Sequence, residues 1–110
     1  MKLAALFSRT SGRVPFHRSE LVRAPLQPGC YALAGVEDDV VYVGQTENLQ
    51  RRMEQHLDDR RMNAQTPFGL PVWFYYMLLP DEHLVQCETQ LLVRFKAIEG
   101  RLPSLNRAGP

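Results

Sequence analysis

Two short apolar runs, Cys30-Tyr31-Ala32-Leu33-Ala34 and Val40-Val41-Tyr42-Val43, flank an acidic break, Glu37-Asp38-Asp39. Strand-forming residues on both sides of such a break predict a β-hairpin. A two-residue loop at Glu37-Asp38 pairs Val36 with Asp39, Leu33 with Tyr42 and Tyr31 with Gly44. Moving the loop to Asp38-Asp39 shifts the partners and keeps the parity. Either way Tyr31 and Tyr42 share one face, because side chains alternate with period two. Gly44 leaves bare backbone beside a tyrosine, so the hairpin carries a shallow polar notch.

From Asn48 the period changes. Leu49, Met53 and Leu57 recur at helical spacing and predict a helix over 47–60, capped by Thr46 or Asn48. His56 falls inside the apolar stripe, and Arg52 sits at its edge one turn earlier, so the two side chains are neighbours. Residues 72–79 are apolar at every position and predict a third strand covered on both faces. Pro80-Asp81 opens a second helix over 81–99, stopped by Gly100. Its stripe is Leu84, Cys87, Leu91, Leu92, Phe95 and Ile98. At 100° per residue Glu88 falls between Leu92 and Phe95, inside that stripe. A carboxylate there costs several kcal/mol unless it is ion-paired, hydrogen-bonded or bound to a metal. From spacing alone, an ion pair with Arg52, a structural pair elsewhere and a metal ligand are equal readings.

Two segments lack a period. Residues 1–27 form a basic arm, with Arg9, Arg13, His17, Arg18 and Arg23, broken by Pro15 and Pro25. Leu3 to Phe7 suits a short strand or one helical turn, and Ser19 suits a cap for a turn over 20–22. The arm either touches phosphates or packs along the domain edge. Residues 58–71 form a long polar loop in which Arg60 and Arg61 either reach a phosphate or pair with Asp58 and Asp59.

Composition narrows the class. The chain has 110 residues, 45% of them hydrophobic and 23% charged, which fits one globular domain with one modest core. A net charge of +1 excludes a globally basic nucleic-acid binder, so any polyanion site is local. No apolar run reaches membrane-spanning length, and the apolar start at Leu3 is too short for a signal peptide. Cys30 and Cys87 lie in a predicted strand and a predicted helix without metal-type spacing. Reduced thiols and a cytoplasmic location are therefore expected.

Gly29-Cys30-Tyr31, ten intervening residues, Tyr42-Val43-Gly44, and then Asn48-Leu49-x-x-Arg52 resemble the GIY-YIG nuclease family. His56, Glu88 and the tail Leu102-Pro103-Ser104-Leu105-Asn106 extend the resemblance over roughly 28–106, within a nuclease-like domain expected over 28–110. The resemblance implies a small α/β (α+β) domain, a three-stranded, mainly antiparallel sheet flanked by helices. It implies a metal-dependent DNA endonuclease using one divalent cation, Mg²⁺ or Mn²⁺, held by Glu88. It assigns Tyr42 as general base and Arg52 as phosphate clamp. It brings Tyr31 to the phosphate or the water, lets His56 relay a proton or hold the water, and turns Asn106 back towards the site. Gly44, Gln45, Arg51, Arg60 and Arg61 are the implied contacts to DNA phosphates.

One feature departs from part of the family. Gln45 stands where the excision-repair branch often has Lys, so a lysine cannot ease proton loss from a tyrosine whose ordinary pKa is about 10. Relatives usually carry a separate DNA-binding domain, so weak, salt-sensitive binding is expected, with a protein partner or a homodimer supplying specificity. The alternative is a catalytically silent module of the same fold that binds nucleic acid or protein.

Overall fold

In a computed structural model, which describes residues 1–106, four strands make one antiparallel sheet. They are β1 (Gly12–Pro15), β2 (Gly29–Ala34), β3 (Val40–Thr46) and β4 (Trp73–Leu78), in the order β1-β4-β2-β3. The helices are α1 (Leu3–Leu6), α2 (Leu49–Leu57) and α3 (Leu84–Glu99). The expected three-stranded sheet is present as β3-β2-β4, and the basic arm adds the fourth strand at its edge. Gly12 and Pro15 hide β1 in the sequence, since neither favours a strand interior. β1 is a short edge strand, where such residues are tolerated.

The sheet divides the apolar residues into two layers. Cys30, Ala32, Ala34, Val40, Val43 and Tyr75 face α1 and α3, where Leu6, Phe7, Leu91 and Phe95 cover them. Tyr31, Leu33, Val41 and Phe74 face the other way, onto Leu49 and Met53 of α2, with Val14, Phe16 and Met62 closing that layer. β2 is buried at all six positions because both layers rest on it. The all-apolar strand β4 is covered on both faces as expected, with Tyr75 in one layer and Phe74 in the other.

The hairpin reaches its expected pairing by a different route. Gly35 and Asp39 close the turn, with Gly35 N–H donating to Asp39 O at 3.0 Å, and Asp38 takes the left-handed conformation at φ 65°. The loop is therefore three residues, 36–38, one longer than the Val36–Asp39 pairing allows. Ala34 then pairs with Val40, and Leu33 with Tyr42, so Val41 is an extra residue in β3. That β-bulge restores the register, and Tyr31 stands opposite Gly44.

Both long helices are shorter than their sequence periods suggest. Asn48 caps α2 by accepting from Arg51 N–H at 3.0 Å, while Thr46 Oγ1 accepts from Asn48 N–H at 3.1 Å. The 47–60 pattern breaks after Leu57 because Asn63 Nδ2 donates to the carbonyls of His56, Leu57 and Asp59, at 2.9, 3.2 and 2.8 Å. Residues 60–63 then form a 3₁₀ turn. Residues 81–83 are also 3₁₀, and α3 ends on Gly100 at φ 79°, the expected stop. In the arm, His17 rather than Ser19 caps the turn Arg18–Arg23, accepting from Ser19 N–H at 3.1 Å.

Most cations of the arm are engaged. Arg13 lies 3.8 Å from the Trp73 ring centroid and donates to Tyr75 Oη at 3.1 Å. Arg18 pairs with Asp58, and Arg23 with Glu20 at 2.8 Å. The arm therefore braces the domain edge. Both cysteines are free thiols, Cys30 buried and Cys87 half-buried. No helix of the described residues is long and apolar enough to cross a membrane.

Candidate active site

The hairpin and α2 bring three rings together. Tyr31 Oη and His56 Nε2 are 2.6 Å apart. The Tyr31 and Tyr42 ring centroids are 6.0 Å apart, and Tyr42 meets His56 edge-on at 5.0 Å. Phe74 stacks on the back of Tyr31 at 5.0 Å with 16° between planes, which fixes the phenol against β4. Strand alternation places Tyr31, Tyr42 and Phe74 on one face, and helical spacing puts His56 above them with Met53.

Gly44 makes the space. A Cβ there would approach Tyr31 Oη to 2.5 Å. The residue opposite Tyr31 must therefore be glycine for the hydroxyl to reach His56. Gly44 is itself buried and shapes the notch beside Tyr31. Gln45, directly across from Cys30, faces the α3 layer, while Arg51 is exposed on α2.

The two phenols differ in access. Tyr31 is 0% exposed, whereas Tyr42 is half-buried. Tyr31 therefore does not meet a phosphate or bulk water, as the motif had implied. Burial first, and then the neighbouring Tyr42, hold its hydroxyl well above the ordinary tyrosine pKa, with the Arg52 guanidinium opposing. It stays protonated, and its hydroxyl shares a hydrogen bond with His56 Nε2. Burial, followed by the Arg52 charge, pushes His56 down from 6.5 to about 4. The imidazole is neutral at physiological pH, with Nε2 engaged by Tyr31.

Acid stability follows from that shift. Between pH 6.5 and about 4 the unfolded chain takes up a proton that the buried His56 refuses. Its contribution is complete above pH 6.5 and is lost as pH falls towards about 4, on the order of 3 kcal/mol at about 1.4 kcal/mol per unit. Urea unfolding at pH 7 and pH 4.5 is expected to show a steeper loss in the wild type than in His56→Gln, which keeps an acceptor for Tyr31. Equal losses would contradict the buried neutral imidazole.

Arg52 is half-buried and forms no ion pair among the described residues. Its charge acts on Tyr31, His56 and Glu88 alike. Glu88 comes from the other layer, on α3, which packs across β3. It is half-buried, not sealed, and burial raises its carboxyl against the pull of Arg52. Tyr31, Tyr42 and His56 are thus in direct contact, and Glu88 joins them through the field of Arg52 from across the β3 edge.

Asn106 pins that edge. Its Oδ1 accepts from Val43 N–H at 2.7 Å, and its Nδ2 donates to Val43 O at 2.8 Å. Leu105 N–H donates to Val41 O at 2.8 Å beside it. Asn106 therefore holds the strand that bears Tyr42 and Gly44. Arg60 and Arg61 are exposed in the turn after α2, with Arg61 facing Asp59 at 3.6 Å. Asp58 is taken by Arg18. Two supporting residues had no sequence signal: Asn63, which ends the His56-bearing helix, lies in a featureless polar loop, and Phe74 is one aromatic among several in β4.

The model for the GIY-YIG catalytic domain matches residues 27–101. The chain belongs to the GIY-YIG family. That match spans the hairpin, α2, β4 and all of α3. The chain is similar to the UvrABC system protein C of Finegoldia magna, 28% identical over 91 residues that cover 81% of this chain and 14% of that protein. It is 26% identical to the same-named protein of Aster yellows witches'-broom phytoplasma, over 74% of this chain and 13% of that one. The chain thus spans only a small part of the length of these relatives. Solved structures of point mutants of the GIY-YIG N-terminal endonuclease domain of UvrC from Thermotoga maritima share the fold. They align with a TM-score of 0.57 at 17–19% identity, over 82% of this chain and 93% of theirs. All three are bound to a catalytic divalent cation.

This chain's donors suit such an ion. No group of three His, Cys, Asp or Glu side chains forms a cage among the described residues. Glu88 is a carboxylate with no ion pair among them, half-open to solvent. A single carboxylate with the remaining positions left to water and phosphate oxygens is a Mg²⁺-type donor set.

Proposed function

We propose that this GIY-YIG domain is a divalent-metal-dependent DNA endonuclease. The observation that supports this most is the unequal access of the two phenols around an arginine that lacks a carboxylate partner. Tyr31 is sealed and protonated and serves to hold His56. Tyr42, reachable from solvent, is the group placed to take a proton from an attacking water. Arg52 offers a guanidinium fork to the scissile phosphate, where its planar donors match two oxygens at once. Glu88 is the residue that would hold the cation, which supplies Lewis-acid stabilisation of the phosphate and of the departing 3′ oxygen.

The neutral His56 keeps the inner wall of the site uncharged. With Nε2 occupied by Tyr31, it orients the aromatic cluster and leaves the proton work to Tyr42. Asn106 and the glycine at position 44 set the distance between β3 and that cluster.

The test is a cleavage assay on supercoiled plasmid and branched DNA with Mg²⁺ or Mn²⁺. Arg52→Ala is expected to lower single-turnover cleavage by about 3 kcal/mol of barrier, roughly a hundredfold, as for loss of one preorganised donor. Binding in EDTA should change far less. DNA that is bound but left uncut by the wild type would favour the silent binding module instead.

A further inference from the structure

A groove lies beside the layer that holds the phenols. Two adjacent hollows, of about 450 and 300 Å³, share Pro67 and Ser104 as lining residues and make a groove between the 58–71 loop and the C-terminal tail. Lys96 and Arg101 line the larger hollow, and Arg61 lines the smaller. No Asp or Glu among the described residues lines either one. In a chain with 13 basic and 12 acidic side chains, three cations around an acid-free groove are a segregation of charge.

The groove also has a direction. Lys96 is eight residues beyond Glu88 on α3, about 80° further round the helix and about 12 Å along its axis. Leu105, which lines the smaller hollow, is hydrogen-bonded to Val41, next to Tyr42. Arg61 follows five residues after His56 in the turn that ends the other helix. The groove therefore passes from the α3 layer to the α2 layer around the β3 edge, starting two helical turns from the carboxylate proposed to hold the cation.

We propose that this groove carries the phosphodiester backbone of the nucleic acid on one side of the cleaved bond, with Lys96 and Arg101 as its principal phosphate ligands. The inference takes its ligand class from the nuclease reading, but its residues lie outside that site. Lys and Arg at the mouth of an open groove bind phosphates by charge, without reading sequence, and make affinity depend on salt. Ser104, which lines both hollows, adds a hydroxyl along the same wall.

The experiment measures binding of a fluorescein-labelled DNA duplex by anisotropy, in EDTA, between 50 and 200 mM salt. Lys96→Ala/Arg101→Ala is expected to reduce the slope of log K against log salt by about two, one for each phosphate no longer neutralised. A charge-matched control, Arg9→Ala/Arg94→Ala, removes two cations from a different hollow on the α1 side of α3 and should leave the slope unchanged. An unchanged slope in the first pair, an equal drop in both pairs, or no DNA binding by the wild type at the lowest salt would each overturn the groove. So would displacement of the DNA by a polyglutamate peptide at matched charge concentration, which would assign the surface to acidic proteins. A wild type that binds with the predicted dependence but cuts nothing in Mg²⁺ would remove the nuclease reading and leave the groove standing.

Discussion

Glu88→Gln is expected to lower Mg²⁺-dependent cleavage by several kcal/mol, roughly a thousandfold, with DNA affinity in EDTA unchanged. The amide keeps the size of the carboxylate and loses the charge that a hard cation needs. Burial already raises the Glu88 carboxyl, so the ionised form is held at some cost in the folded chain. The variant should for that reason melt no lower than the wild type. An activity loss without a stability loss separates a ligand from a structural ion pair, whose removal would leave Arg52 with a half-buried, uncompensated charge. Full activity in Glu88→Gln, or a marked drop in its melting temperature, would go against the assignment.

The second large effect distinguishes the phenols. Tyr42→Phe removes the accessible hydroxyl and is expected to slow single-turnover cleavage by about 10²–10⁴-fold, the range for a general base. Tyr31→Phe removes a sealed hydroxyl instead and strands the buried Nε2 of His56. Its main cost should be stability, about 1–3 kcal/mol for an unsatisfied buried acceptor, with a smaller effect on rate. Chemical denaturation and single-turnover kinetics on both variants give the comparison. If the two variants were to lose rate equally at equal stability, the division of labour between the phenols would be wrong.

The tyrosine pair and its shared face are legible in the sequence because period-two alternation survives small errors in loop placement. The loop is one residue longer than the pattern suggests, and the bulge at Val41 returns the register, so parity reaches the right pairing without the bulge being visible. His56 within an apolar stripe and Glu88 as a misplaced carboxylate are also legible, since one face of a helix can be counted. The arm is not. Its strand β1 consists of Gly12, Arg13, Val14 and Pro15, and its pairing with β4 depends on tertiary contact that local pattern does not encode. Nor does any sequence pattern say which layer a helix joins. That Glu88 comes from the layer opposite the phenols, on a helix packed against β3, follows from packing alone.

The burial of Tyr31 is hidden from the sequence for a similar reason. In a hairpin, Tyr31 and Tyr42 look equivalent, but β2 is the central strand between β3 and β4, while β3 lies at the sheet edge. Position in the sheet, not residue type, makes one phenol a prop and the other a candidate base.

The most direct measurement is Mn²⁺ titration followed by NMR of the aromatic side chains. Paramagnetic broadening falls steeply with distance, so it reports where the ion sits. Substoichiometric Mn²⁺ should broaden the Tyr42 and His56 ring signals before those of Trp73, which pairs with Ala34 at the other end of β2 from Cys30, and Glu88→Gln should abolish the effect. Broadening centred away from Tyr42, or broadening that persists in Glu88→Gln, would contradict a single site built by Glu88, Arg52 and the accessible phenol.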